Sequence, residues 1–442
     1  MPGSSSLGRM HRTKRAASRL PLAREVAVTD SIFSRTLKLA CRMALALFIS
    51  GASFSAIAQT LDVIYSFAGT PDGQTPTANM VMDDAGNLYG TTYYGGQFGL
   101  GCVFEVTTSG QESVLYSFEG GDDGKLPRAG VVLDSAGNLY GATTSGGTGI
   151  CQSQGYLGCG TVFELTQSSG VWSESILYDF NRRSGDGAYP FGGVVLDGAG
   201  NLYGTTWRGG SANEGAVFEL APPSVSGGPW TETILHDFSH HHDGEYPEAG
   251  LVLDSAGNLY GTTVVGGEGK SGVVFELTPG AGGDWTETIL HSFNRDGQDG
   301  VAPESSLVID GSGNLYGTTS LGGTTRGIVF KLTAPAKAGE NWNESLLWNL
   351  PSSSSGALAL DPSGNVYGTT INGGKAAAGT VFELLAPVAD GAWIEKTLYT
   401  FRDKADGTEP AAGVTLDAAG NLFGTTDGGG ANNRGEVFEI TP

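Results

Sequence analysis

Seven near-copies of one short phrase run through this chain of 442 residues and fix its architecture before any other feature is considered. They read MDDAGNLYGTT around Asp83, LDSAGNLYGAT around Asp134, LDGAGNLYGTT around Asp197, LDSAGNLYGTT around Asp254, IDGSGNLYGTT around Asp310, LDPSGNVYGTT around Asp361 and LDAAGNLFGTT around Asp417. Successive Asp positions are 51, 63, 57, 56, 51 and 56 residues apart. Such periods exceed those of helical-pair and leucine-rich repeats and fall near the length of a propeller blade.

Within a unit, four apolar runs alternate with turn residues. In the fourth unit these are TETILHDF from Thr231, GLVLD ending at Asp254, NLYGTT from Asn258 and GVVFEL ending at Leu277. Each is rich in Val, Ile, Leu, Tyr, Phe and Thr, each is bounded by Gly, Asp or Pro, and none reaches helical length. Four strands in each of seven units predict an all-β chain, a seven-bladed β-propeller of four-stranded blades over residues 59–442.

The turn chemistry explains the regularity of the phrase. In Asp-x-x-Gly-Asn the carboxylate accepts N–H groups of the following turn, and Gly supplies the positive φ of a short bulged hairpin. The seven Asp residues are therefore expected to be turn residues and not a metal or catalytic ring. A second set, Asp72, Asp123, Asp186, Asp243, Asp299 and Asp406, lies in DG-x-x-P loops and is read the same way, since its spacing is not that of an EF-hand loop. The sixth unit has SSSSGA there instead.

Three aromatic columns support packed blades. Tyr65, Tyr116, Tyr178, His236, His291, Trp348 and Tyr399 share one position, and a flat ring with a polar edge suits a half-buried strand. His236 and His291 are accordingly expected to pack in place of tyrosine, not to ligate metal. Phe104, Phe163, Phe218, Phe275, Phe330, Phe382 and Phe438 form a core column, and Trp172, Trp230, Trp285, Trp342 and Trp393 precede the outer strand.

In this frame the repeat region begins one strand early, at LDVIYSF from Leu61, and stops one strand short, at EVFEI from Glu436. With GLVLD innermost, the N-terminal strand completes the last blade and closes the ring, which removes the exposed edges. With ILYSF innermost no exchange is needed. The Gly and Ala residues around GLVLD suit the crowded axis, so the first frame is preferred and the second is the alternative.

The first 58 residues differ in kind. Nine of the 24 basic residues but only two of the 46 acidic ones fall there, followed by the apolar run MALALFISGASFSAIA and the small-x-small site Ala56-Ile57-Ala58. That is the layout of a signal peptide cleaved before Gln59, the alternative being an uncleaved N-terminal anchor. The run is too short and Ser-containing to read as a membrane span. Residues 59–442 keep 15 basic and 44 acidic residues, a net charge of −29, which argues against nucleic acid and anionic lipid as partners. An extracellular or cell-surface setting is expected, or the periplasm, with the ring a monomer. Cys151 and Cys159 flank one insertion and are the natural disulfide pair of an oxidising compartment. The cysteine spacings do not suit a metal, and the HHHD run at His240–Asp243 suits adventitious metal binding better than a built site. Hence no metal and no cofactor is expected.

The stretch PEAGLVLDSAGNLYGTT, from Pro247 to Thr263, resembles the inner strands of NHL-type propeller repeats. The fuller unit, GNLYGTTxxGG followed by GxVFEL, more closely resembles the tandem repeat called GloVer (Gloeo/Verruco), seen in exported bacterial proteins. The resemblance spans residues 60–442. It implies export and a surface setting; it implies no activity and no catalytic residues.

Specificity on a repeated scaffold belongs where the repeats vary. The loops after NLYGTT vary, and from them Tyr93, Tyr94, Trp207, Arg208, Arg326, Asp427 and Arg434 are the candidate ligand-binding residues, since flat rings with polar partners suit sugars or peptides. No nucleophile elbow, zinc-protease or phosphate-loop motif occurs. The sequence thus points to a secreted binding or scaffold module for polysaccharide or protein. The alternatives are an extracytoplasmic glycan hydrolase or lyase on a propeller scaffold and a structural envelope element.

Overall fold

The computed structural model describes residues 59–441 apart from 154–155, 184, 226, 240–241, 338, 389–390 and 403–405. The expected leader, residues 1–58, lies outside the described residues, as do His240 and His241 of the histidine run. All elements described are strands, and among the described residues no helix is long and apolar enough to cross a membrane.

Seven four-stranded antiparallel sheets follow one another along the chain, each used as one blade. Blade one comprises Val81–Met82, Leu88–Thr92, Cys102–Val106 and Glu112–Ser117, and the next five repeat this order. Blade seven takes Val414–Leu416, Leu422–Thr426 and Glu436–Thr441 from the end of the chain and its fourth strand, Thr60–Ser66, from the beginning. The closing ladder pairs Thr60 with Thr441, Leu61 with Ile440 and Val63 with Phe438, with a bulge before Tyr65.

GLVLD is innermost. The segments leading into it touch one another from blade to blade: Gly250 N donates to Ser306 Oγ at 3.0 Å, Ser355 Oγ to the Ala411 carbonyl at 3.2 Å and Gly413 N to Asn79 Oδ1 at 2.7 Å. Only strands nearest the axis can make such contacts around the whole ring. The frame with ILYSF innermost is therefore discarded.

The repeated phrase now has a physical reading. Asp254 Oδ1 accepts N–H bonds from Ala256 and Asn258, while its Oδ2 accepts the Asn258 amide and the Tyr260 hydroxyl at 2.8 and 3.1 Å. The same four bonds recur at Asp83, Asp134, Asp197, Asp310 and Asp361, and blade seven, with Phe423 for Tyr, keeps three. A carboxylate so engaged has no lone pair left for catalysis or metal. Gly261 faces Phe275 across the ladder, and a Cβ there would lie 2.6 Å from the ring. The first Thr of GTT crosses to the next blade: Thr91 Oγ1 donates to the Ala129 carbonyl, Thr205 to Ala249 and Thr369 to Ala412, each at 2.8 Å.

Apolar seams hold neighbouring blades together. The last ring of each outer strand meets the Phe column of the next blade edge to face: Phe67 on Phe104, Phe118 on Phe163, Phe180 on Phe218, Phe238 on Phe275, Phe293 on Phe330 and Phe401 on Phe438, with centroids 5.0–5.4 Å apart. Leu350 takes this place in blade five. The tryptophans pack as expected, Trp230 against Tyr140, Trp285 against Tyr203 and Trp342 against Tyr260. Cys151 and Cys159 are joined by a disulfide within the insertion of blade two, and Cys102 is a buried free thiol.

Beside the apolar seams, except the one after blade five where the aspartate is missing, runs a polar one that the sequence did not announce. Tyr65 donates to Asp72 Oδ2 at 3.0 Å, and Tyr116 to Asp123 Oδ2 at 3.2 Å. Glu112 and Glu174, from the outer strands of the following blades, close these groups from the other side. Burial first, and the neighbouring Asp second, push Glu112 up to about 7, Glu174 to about 8 and Glu232, which faces Asp186, to about 7. These carboxyls start from about 4.5 when unfolded, so between that value and about 8 the folded chain holds more protons than the unfolded one. Their stabilisation is complete below pH ~4.5 and is lost as the pH rises through the folded values.

The turn aspartates work in the opposite sense. Burial raises their pKa, but the hydrogen bonds outweigh it and hold Asp134 and Asp254 below the usual carboxylate range. Their contribution is lost as the pH falls through that range. The melting temperature should therefore peak near pH ~5 and fall by roughly 3–6 °C by pH ~8.5. Glu174→Gln should flatten the alkaline limb, and a profile still rising up to pH ~8 would refute this account of the seams.

Candidate ligand-binding face

One face of the ring is built from the DG-x-x-P loops and the loops after NLYGTT, which pair with each other. Gly73 pairs with Gly95, Gly124 with Gly146, Gly187 with Gly209 and Gly300 with Gly322, and single bridges join Glu245 to Val265 and Thr408 to Gly428. Thr75, Leu126, Tyr189, Tyr246, Ala302 and Glu409, each directly before proline, hold φ of 57–60°. Left-handed backbone before proline is strained. Two backbone bonds offset the strain at each: Tyr189 N donates to the Cys159 carbonyl of the preceding blade, and its own carbonyl accepts Trp207 N. The remaining five loops repeat this pattern, so each is tied by backbone bonds to the preceding blade and to the loop after NLYGTT of its own.

The residue after each of these prolines surrounds the mouth of an axial cavity of about 720 Å³ that all seven blades line. Thr77, Arg128, Phe191, Glu248, Glu304 and Ala411 occupy that position, and Ser355 replaces them in blade six. Small Gly and Ala residues form the walls below. The mouth is markedly asymmetric. Arg128 lies over the Phe191 ring at 4.6 Å and pairs with Glu248 at 3.3 Å. Phe191 stacks on Trp207, with centroids 5.1 Å apart and planes 11° from parallel. Arg208 sits between Trp207 and Tyr246, 4.5 and 4.2 Å from their rings. Aromatic and cationic layers thus run together from blade two across blade three to blade four.

The seven candidate residues from the sequence are distributed unevenly about this face. Trp207 and Arg208 belong to the layered cluster, but Trp207 is only 7 % exposed and Phe191, stacked on it, only 5 %, so the cluster meets solvent through Arg128 and Arg208. Tyr93 and Tyr94 form an edge-to-face pair at 4.7 Å on blade one, where Tyr94 is 44 % exposed. Asp427 lines the axial cavity. Its Oδ1 is buried without a hydrogen-bond partner, and burial first and Glu409 second push its pKa up to about 7. Arg326 and Arg434 are exposed on the loops of blades five and seven.

Sequence reasoning missed Arg128, Phe191, Tyr246 and Glu248. The post-proline column was visible as a position, but its chemistry changes from blade to blade, and only the ring geometry brings Phe191 onto Trp207. Glu248 is pushed up by burial first, against the pull of Arg128.

The fold and this face together define a closed seven-bladed β-propeller with a variable loop surface over an axial cavity. The chain belongs to the Gloeobacter/Verrucomicrobia repeat family, whose family model matches residues 50–150 and 148–344. No curated protein sequence matches it. Among solved structures it is similar to an ancestral GH74 enzyme, at 10 % identity and a TM-score of 0.54, covering 83 % of this chain and 48 % of that one. It is also similar to a gluconolactonase from Xanthomonas campestris, at 13 % identity and a TM-score of 0.41, covering 71 % of this chain and 89 % of the other. A Thermus thermophilus protein named for a glucose dehydrogenase matches at 14 % identity and a TM-score of 0.43, covering 87 % of this chain and all of its own. At these identities the likeness is one of fold.

Proposed function

We propose that this chain is an exported propeller, secreted or held at the cell surface, that acts as a single ring to bind an extended polysaccharide or protein segment over the mouth of its axial cavity. The observation that carries this reading is the layered cluster Arg128, Phe191, Trp207, Arg208 and Tyr246. The buried rings hold the guanidinium groups of Arg128 and Arg208 flat at the surface, and planar donors so fixed suit sugar hydroxyls and peptide carbonyls. The net charge of −29 over residues 59–442 favours an uncharged or cationic ligand over a polyanion. Export rests on the basic, apolar and Ala56-Ile57-Ala58 sequence, with Gln59 as the expected mature N-terminus.

A glycan and peptide array probed with residues 59–442 supplies the test. Arg208→Ala and Tyr94→Ala should each weaken binding of a hit by about 1–3 kcal/mol with little change in melting. Trp207→Ala should instead lower the melting temperature, because its indole is buried. Binding that survives Arg208→Ala and Arg128→Ala together would move the site off this face.

A second reading, a glycan hydrolase or lyase, is favoured by Asp427 alone. A carboxyl raised to about 7 that lines a cavity suits a general acid. Product release from any array hit, abolished by Asp427→Asn, would establish it. Intact ligand after prolonged incubation would leave the binding module.

A further inference from the structure

We infer that the seam between blades three and four is a binding site for a divalent transition-metal ion of the zinc type, ligated by His236 Nε2, Asp243 Oδ2 and Glu287 Oε1. His236 comes from the outer strand of blade three, Thr231–Asp237, and Glu287 from the outer strand of blade four, Trp285–Ser292. Asp243 lies on the loop between the two blades. Nε2 stands 3.5 Å from Asp243 Oδ2 and 3.6 Å from Glu287 Oε1, and the ligand atoms of all three residues fall within 4.8 Å of one another.

These separations are long for hydrogen bonds. The two distances from His236 match the edges of a tetrahedron around zinc, roughly 3.4 Å for metal–ligand bonds of about 2.0–2.1 Å. His236 Nε2 and Glu287 Oε1 are moreover buried atoms without a hydrogen-bond partner, a costly arrangement that a cation between them would relieve. The imidazole is held by an edge contact on Phe238, centroids 4.8 Å apart. The three side chains keep 13–21 % exposure, so an ion can enter from solvent. Neutral imidazole with two carboxylates is a mixed N/O set that takes zinc or a neighbouring transition metal.

The other seams show why this one differs. Where tyrosine fills the column, its hydroxyl donates to the Asp and satisfies it directly, as Tyr65 does for Asp72. At the second histidine, Asp299 is already engaged. Asn294 gives it a side-chain and a backbone bond at 2.9 and 3.0 Å, and Gly300 N donates to its other oxygen at 2.6 Å. Asp243, among the described residues, receives from Ser239 N long contacts of 3.2 and 3.3 Å. Histidine at position 236 thus packs on Phe238 as the column's tyrosines pack on theirs, and in this seam its ring nitrogen completes a ligand set.

Calorimetric titration of metal-stripped residues 59–442 with ZnCl₂, with thermal melts alongside, tests the inference. One Zn²⁺ per chain is expected, with a higher melting temperature at excess metal. His236→Tyr restores the residue used elsewhere in the column and should stay folded while weakening zinc binding at least about a hundredfold; Glu287→Gln should weaken it at least about tenfold. His291→Tyr and the triple variant His240→Ala/His241→Ala/His242→Ala should bind as the parent does. Three outcomes overturn the site: no zinc binding by the parent at about 0.1 mM metal, undiminished binding by His236→Tyr, or binding lost in the triple variant, which would assign the metal to the histidine run.

Discussion

Removal of residues 60–67 is expected to abolish soluble, cooperatively melting protein. The segment is the fourth strand of blade seven, and it supplies the ladder to Glu436–Thr441. It also supplies Phe67, fully buried against Phe104 of blade one, and Tyr65, which closes the polar seam on Asp72. Loss of Phe67 alone should cost about 3–5 kcal/mol, and the bared strand becomes an edge open to pairing with other chains. Because the ring is closed, the damage falls on two seams at once. Soluble yield and differential scanning calorimetry of residues 59–442 against 68–442 give the comparison. A shortened chain that melts in one transition at the parent temperature would mean that this strand does not close the ring.

Much of the architecture was legible because each device recurs in five or more of the seven units. The Asp-x-x-Gly-Asn turn could be read as a turn from its chemistry, and Asp83 and Asp254 are held by the bonds that chemistry requires. The Phe column and the outer-strand tryptophans were likewise readable, since a repeated aromatic position signals packing. The innermost strand was readable only as a preference. The Gly and Ala residues around GLVLD suit a crowded axis where the rings of ILYSF do not, and the contacts of Gly250, Ser306 and Gly413 around the axis settle it.

The binding face was harder for a different reason. Trp207 stood out because it interrupts small and polar loops, yet its burial depends on Phe191 and Tyr246, which enter from other loops. The seam glutamates Glu112, Glu174, Glu232 and Glu287 were in plain view within TETIL-type strands. Strand alternation assigns such residues to water, and cannot tell that the next blade stands there instead. His236 could be read as a tyrosine substitute, and its ring packs edge to face on Phe238 as the tyrosines do; the carboxylates that face it were not readable, because they belong to a loop and to another blade.

The phenylalanine seams should dominate stability, and Phe238 tests this well because the ring contains a natural control at the equivalent position of another seam. Phe238 is fully buried, meets Phe275 edge to face at 5.3 Å and belongs to the cluster with Val217, Leu251 and Leu259. Truncation to Ala leaves a cavity between two blades that a closed ring cannot collapse, because each blade is fixed by two neighbours. The expected cost is about 3–5 kcal/mol. Phe238→Leu should cost only about 1–2 kcal/mol, since Leu350 already fills the equivalent position of blade five, packed with Phe382 and Leu384. Chemical denaturation of both variants decides the matter. Equal losses for Ala and Leu would mean that ring-on-ring geometry, not filled volume, holds the seam; a small loss for Ala would mean that the blades adjust to one another more freely than a closed ring permits.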